Sequence, residues 1–360
     1  MAYFLRPTFL LPNSMKLDEL FKIAVDKKAS DLHIIVDMPP VLRIDGQLAP
    51  IAGKDKITAK VAEDLVYPML SDKQKQIFIE EKELDLSYEI SSGHRFRVNL
   101  HWERGHIGLV ARVISSDIPT MDELGMPEIA YKLLGMKQGL ILITGPTGCG
   151  KSTTLAAMID YVNKNQAVNI VTLEDPIEFL FKSNKSIIKQ RQLHTDMITF
   201  NDALIHVLRQ DPNVIMVGEM RDINTIAATV TLAETGHLVL ATLHTHNAAQ
   251  TIDRIIDIFP PHQQQQIRLQ VSMTLNAVLS QQLIPKADGG RVASREILLN
   301  TPAVSNLIRE NKIAQIKTII QTNAEEGMIT MDQDLINLYN AETITKETAQ
   351  SHMLNPELLD

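Results

Sequence analysis

The sequence predicts an α/β protein: a small α+β domain first, then a mostly parallel sheet covered by helices on both faces, then a helical C-terminal region. Three observations carry that expectation. Alternating apolar and polar segments at Leu84–Ile90, Arg95–Trp102 and Gly108–Ile114 read as a β-meander. Short apolar segments at Leu140–Thr144, Asn169–Leu173, Val214–Val217 and Leu238–Thr242 alternate with helical stretches, the pattern of parallel strands buried on both faces. The pattern G-x-x-x-x-G-K-[ST] runs from Gly145 to Ser152, after the first of those strands. The helix following it puts Leu155, Met158, Ile159 and Val162 on one side.

Before the meander, Leu17, Leu20, Phe21, Ala24 and Val25 mark a first helix, from about Leu17 to Lys27. A strand at Asp31–Val36 follows and is broken by Pro39–Pro40. Ile44-Asp45-Gly46-Gln47 reads as a hairpin turn, and Ala59–Leu70 as a helix. The short polar stretch from Ser115, with Pro119, reads as a linker that lets the two domains move. Late in the chain, Val304, Leu307 and Ile308 form one helical stripe and Ile313, Ile316 and Ile320 another. The expected division is 1–14, a disordered extension; 15–114; a linker at 115–120; 121–300; and a helical region at 301–360.

Composition narrows the function. The formal charge is −8, from 35 basic and 43 acidic side chains, so bulk nucleic-acid binding is disfavoured and no nucleic-acid partner is expected. The basic residues Lys182, Lys185, Lys189 and Arg191 make only a weak patch. One cysteine excludes an internal disulfide and a four-Cys zinc site, and points to the cytoplasm. No apolar run reaches the roughly 18–20 residues a membrane span needs.

The loop Gly145, Pro146, Thr147, Gly148, Cys149, Gly150, Lys151, Ser152, Thr153 carries the chemistry of a nucleoside-triphosphate site. Its glycines let backbone N–H groups converge on phosphate oxygens, and the helix behind adds partial positive charge. Lys151 reaches the β- and γ-phosphates, and Ser152 ligates Mg²⁺. The expected substrate and cofactor are therefore ATP and Mg²⁺. The strand Val214–Val217 delivers Glu219 to a strand end, where it can orient or deprotonate water; Gly218 stands where an Asp is usual. Glu174, Asp175 and Glu178 follow another strand end, well placed for Mg²⁺ or its waters, although a turn rich in acids explains them equally well. The metal set is then Ser152, Glu174 and Glu219. His237 and His244 bracket the last strand and could sense the γ-phosphate or position water; singly, each reads as a structural histidine. Arg95, Arg97, Arg104, Arg112, Arg191 and Arg209 are candidates for the extra positive charge that phosphoryl transfer uses, or solvated side chains. Cys149 lies beside a helix N-terminus and Lys151, features that lower a thiol's pKa, so a redox-sensitive thiol is one expectation and a merely small residue the other.

Five segments, GPTGCGKSTTLAAMIDY, VTLEDPIEF, DPNVIMVGEMRD, AETGHLVLATLHT and TIDRIIDIFP, resemble the P-loop, Asp box, Walker B, His box and following helix of type II/IV secretion-superfamily ATPases. With ASDLH at Ala29–His33, RFRVN at Arg95–Asn99 and NTPAVSNLIRE at Asn300–Glu310, the chain is most similar to the type IV pilus retraction ATPases within that group. The resemblance implies a PAS-like N-terminal domain, a RecA-like ATPase domain and a ring-shaped homohexamer. It implies coupling of ATP turnover to pilus retraction, twitching motility and the associated DNA uptake. It places the ring at the cytoplasmic face of the inner membrane, with a pilus platform protein and a paralogous retraction ATPase as partners. By motif it assigns Lys151 and Ser152 to phosphate and Mg²⁺, Glu174 as the Asp-box acid, Glu219 as the Walker B acid, His237 and His244 as the His box, and Arg97, Arg112, Arg191 and Arg209 as arginines that approach the nucleotide.

The chain departs from that pattern at Thr195, where a second Arg is common, at Ser305, where the tail motif carries Arg, and at Cys149, where Ser or Thr is usual. The alternatives are an accessory paralogue, another secretion-superfamily ATPase, a ring subunit that binds ATP without hydrolysing it, and a nucleic-acid translocase.

Overall fold

Leu17, Leu20, Phe21 and Ala24 fall on one side of the first helix, α1 (Leu17–Asp26), and all four are buried. A computed structural model describes residues 15–44, 46–114 and 117–359 of the chain. The proposed extension at 1–14, Asp45 of the proposed hairpin turn and residues 115–116 of the proposed linker lie outside the described residues. The chain divides into two units, Met1–Ser116 and Asp117–Asp360.

In the first unit α1 is followed by β1 (Asp31–Ile34), β2 (Val41–Ile44), β3 (Gln47–Pro50), α2 (Ala59–Val66), α3 (Asp72–Glu81), β4 (Glu83–Glu89), β5 (Arg95–Glu103) and β6 (His106–Ile114). The six strands form one antiparallel sheet in the order β3-β2-β1-β6-β5-β4. Alternation on β5 sorts its residues: Phe96, Val98 and Leu100 are fully buried, while Arg95, Arg97, Asn99 and His101 take the other face. Phe96 stacks on Phe21 with ring centroids 4.2 Å apart, fixing α1 on the sheet. On the opposite face, Arg43, Asp31, Arg112 and Arg97 stand directly across from one another on four adjacent strands. Arg112 Nε donates to Asp31 Oδ1 at 2.9 Å, and Arg43 Nε lies 3.8 Å from Asp31 Oδ2.

The second unit contains α4 (Glu128–Leu134), β7 (Gly139–Thr144), α5 (Lys151–Asn165), β8 (Asn169–Glu174), β9 (Ile187–Gln192), α6 (Phe200–Val207), β10 (Val214–Val217), α7 (Ile223–Glu234) and β11 (Leu238–Leu243). After them come α8 (Ala248–Asp257), α9 (Pro261–Thr274), β12 (Leu275–Pro285), β13 (Arg291–Leu299), α10 (Pro302–Arg309), α11 (Ile316–Thr322), α12 (Met331–Asn340) and α13 (Lys346–His352). Its seven strands run in the order β13-β12-β7-β11-β10-β8-β9. All neighbours are parallel except the β12–β13 hairpin. Side chains alternate between two cores. Leu140, Leu142, Ile215, Val217, Val239 and Ala241 pack with residues of α6 to α10. Ile141, Ile143, Val214, Met216, Leu238 and Leu240 pack with α4 and α5. Burial on both faces is why these strands read as apolar runs instead of alternating ones. In the C-terminal region Val304, Ile308, Ile313, Ile316 and Ile320 are buried, and Leu307 is half-buried against them.

Parallel strands have a consequence for the site. The C-terminal ends of β7, β11, β10 and β8 lie along one edge of the sheet, so the segments after Thr144, Leu243, Val217 and Leu173 emerge together.

Candidate nucleotide site

β7 delivers Thr144 to that edge, and the loop begins at once with Gly145 at φ 143°. A Cβ at Gly145 would stand 2.3 Å from the Gln281 carbonyl oxygen and 2.6 Å from Cys149 Sγ, so only glycine fits. Gly150, at φ 88°, turns the chain into α5, whose first residue is Lys151. Ser152 and Thr153 occupy the first turn, half-buried. Lys151 is 8% exposed, and burial lowers its pKa. Its Nζ donates to the carbonyls of Gly145 at 2.8 Å and Pro146 at 3.0 Å.

From this lysine a polar chain crosses the strand ends. Lys151 Nζ lies 3.4 Å from His244 Nδ1, with Thr147 Oγ1 at 3.5 Å from the same nitrogen. His244 Nε2 lies 3.1 Å from Glu219 Oε1. An ammonium can only donate, so Nδ1 accepts from Lys151 and the ring proton sits on Nε2, donating to Glu219. Arg221 Nε donates to Glu219 Oε2 at 2.9 Å, and its NH1 reaches Asp175 at 3.2 Å. Both oxygens of Glu219 are thereby aimed, an arrangement able to hold a water for in-line attack. Gly218 forms the turn before it. A Cβ there would lie 3.2 Å from the Leu173 carbonyl, too close for a larger residue without a shift, which accounts for the missing Asp. Thr242 Oγ1 donates to the Gly218 carbonyl and ties this turn to β11.

Glu174 ends β8, one strand beyond β10, so at about 4.8 Å per strand its backbone starts roughly 14 Å from that of the loop, against roughly 10 Å for Glu219. It is 5% exposed and accepts from Thr172 Oγ1 at 2.6 Å and Gln190 Nε2 at 3.1 Å. Burial outweighs these hydrogen bonds and pushes its carboxyl from 4.5 up to about 7. The folded protein then holds a proton that the unfolded chain has released between those values, so stability falls as pH rises through that window. Glu174→Gln should abolish this slope. Between pH 4 and 8 the wild type should lose up to about 3 kcal/mol relative to the variant in denaturant titrations. Parallel pH profiles for the two proteins would contradict the assignment.

Other sequence candidates stand elsewhere. His237 precedes β11 while His244 follows it, so the strand's six residues separate them by about 20 Å. His237 Nδ1 pairs with the Leu232 carbonyl at 3.0 Å on the edge opposite the loop and does not join its own chain's site. Arg209 is exposed in the turn before β10, on that same far edge. Arg191 is on the near edge but beyond Glu174, on the outermost strand, where NH2 donates to the Asp196 carbonyl at 3.0 Å. Arg97 and Arg112 belong to the first unit's sheet, opposite one another on β5 and β6. Of the two readings of Cys149, the small buried residue fits and the reactive thiol does not. Cys149 is 3% exposed, and burial pushes its pKa up against the pull of Lys151. Sequence reasoning missed Arg221, although it stands two residues after Glu219 in the same motif. It also missed Gln281, which nothing near the loop in sequence announces.

Residues 12–350 match the family model described as type II/IV secretion system protein. The chain belongs to that family. It is 45% identical over 343 residues to the type IV pilus retraction ATPase PilT of Pseudomonas aeruginosa, covering 95% of this chain and 99% of that protein. It is 40% identical over 339 residues to the type IV pilus ATPase PilU of the same organism, covering 94% and 88%. The fold matches a crystal structure of the pilus retraction motor PilT with bound ADP at a TM-score of 0.90, with 42% identity over 96% of this chain and 98% of the other. No helix among the described residues is long and apolar enough to cross a membrane.

Proposed function

We propose that the chain is an ATP-hydrolysing motor that retracts type IV pili. The observation that carries the reading is the continuous Lys151–His244–Glu219 chain, which links a phosphate-reaching cation to an oriented carboxylate. Near full-length similarity to a retraction ATPase supplies the task to which turnover is coupled.

In this reading the backbone of Gly145–Ser152 and the Lys151 ammonium hold the triphosphate, Glu219 orients and deprotonates water, and His244 couples it to the loop. Among the described residues no three His, Cys, Asp or Glu side chains are grouped to hold a metal. That fits Mg²⁺, which keeps waters and leans on substrate phosphates, with the Ser152 hydroxyl as protein ligand and Glu174 and Glu219 acting through water. The metal supplies charge neutralisation of the phosphates when bound. The working form is a homohexameric ring at the cytoplasmic face of the inner membrane, against a pilus platform protein. Arg97 and Arg112 serve a neighbouring subunit's nucleotide, and His237 and Arg209, on the far edge of the sheet, belong to a subunit boundary.

Mixing tests the composite site. Arg112 ties down Asp31, so Arg97→Ala is the milder structural change. A Lys151→Ala subunit mixed with an Arg97→Ala subunit is expected to recover turnover, because some interfaces regain both groups. No recovery at any mixing ratio would place the arginine in cis. A second reading, an accessory ATPase working with a paralogue, is favoured by Ser305. Its hydroxyl donates to the Ser272 carbonyl at 2.8 Å, a local tie between α10 and α9 where the tail motif carries a charged side chain.

A further inference from the structure

Gln281 lies on β12, 1% exposed. Its Nε2 donates to the Cys149 carbonyl at 2.7 Å, and its Oε1 accepts from Thr154 Oγ1 at 3.0 Å. We propose that Gln281 is a positioning residue for the nucleotide: it latches the Cys149–Gly150 peptide plane so that the Gly150 N–H faces the phosphates, and Thr154 anchors the other end of that latch. The inference rests on the nucleotide-site reading above.

A trans peptide holds its C=O and N–H on opposite sides. Holding the Cys149 carbonyl outward against β12 therefore holds the Gly150 N–H inward. Gly150 sits at φ 88°, and a glycine lets the preceding peptide plane turn over at little steric cost. A turned plane would aim a carbonyl oxygen at an anion and remove one donor from the loop. The loop therefore needs an outside restraint at this peptide, and Gln281 provides it. The amide could defeat its own purpose by rotating, since its oxygen would then face the Cys149 oxygen. The Cys149 carbonyl can only accept, so the NH₂ end faces it, and the Thr154 hydroxyl holds the other end of the amide by donating to Oε1.

The rest of β12 agrees with a bracing role. Ser280 Oγ lies 2.8 Å from Thr144 Oγ1, at the end of β7. The Gln281 carbonyl leaves no room for a Cβ at Gly145. Two successive residues of one strand thus fix the start of the loop and its final turn. That also places buried polar side chains in an otherwise apolar strand, at a cost only a satisfied network recovers.

The test is a double-mutant cycle read in ADP affinity by calorimetry, with melting temperature and steady-state kinetics alongside. Gln281→Met keeps volume and removes the donor; Thr154→Val keeps shape and removes the hydroxyl. Gln281→Met should weaken ADP binding about tenfold and Thr154→Val about threefold. The double variant should be no weaker than Gln281→Met alone, because Thr154 acts only through the amide. KM for ATP should rise more than kcat falls. If Gln281→Met does not fold, Thr154→Val carries the test by the same two readouts. ADP affinity equal to wild type in a folded variant, with only a lower melting temperature, reduces Gln281 to packing and overturns the latch; so do strictly additive effects. Failure of the wild type itself to bind ADP overturns the nucleotide reading and the latch with it, so the two failures are told apart.

Discussion

Lys151→Ala should reduce ATP turnover about a hundredfold or more, while circular dichroism and the melting curve stay as in the wild type. Electrostatic contacts to developing phosphate charge are worth about two to three orders of magnitude in kcat, and Lys151 is the loop's own ammonium. The fold should survive for three reasons. The ammonium's hydrogen bonds to Gly145 and Pro146 lie within the loop. Alanine is a strong helix former at the first position of α5. Burial lowers the lysine's pKa, so removing the charge relieves a cost instead of adding one. Phosphate release above a tenth of wild type would count against the site.

Glu219→Gln should bind ATP about as well as the wild type and hydrolyse it about a hundredfold or more slowly, the usual worth of a general base. The amide keeps the size and an acceptor for His244 or Arg221, and loses the proton-accepting charge. Glu174→Gln serves as the control. Glu174 lies one strand farther from the loop, buried against Thr172 and Gln190, so its replacement should slow turnover less. If Glu174→Gln proves the more damaging of the two, the roles of these acids are reversed.

What could be read from the sequence was what lies close together in it. Gly145 to Ser152 are consecutive, and the strand before and helix after them are apolar enough to be seen. Glu219 is found because four buried residues deliver it. The His box shows where this fails: His237 and His244 share one short motif, but a strand between them carries them to opposite edges of the sheet. The sequence left Cys149 open between a reactive thiol and a merely small residue, because its neighbours in sequence argue for reactivity and the strand that buries it comes about 130 residues later. The β12–β13 hairpin was not foreseen, although Gly289 and Gly290 lie between its strands at positive φ. Ser280 and Gln281 interrupt its apolar pattern, because Ser280 pairs with Thr144 at the end of β7 and Gln281 reaches the loop. Helix α3 was missed for another reason. Its capping box of Ser71 and Gln74 was visible, but only Phe78 on it is buried, so it lacks an apolar stripe.

The central claim is that turnover at this site drives retraction. The most direct measurement is deletion of the gene in its own bacterium, with surface pili counted and twitching scored, then complementation with the wild type or with Glu219→Gln. The account predicts cells with excess pili and no twitching, restored by the wild type and not by Glu219→Gln. Bald cells would mean assembly. Normal motility after deletion, or rescue by the inactive variant, would contradict a motor that works by hydrolysis at Glu219.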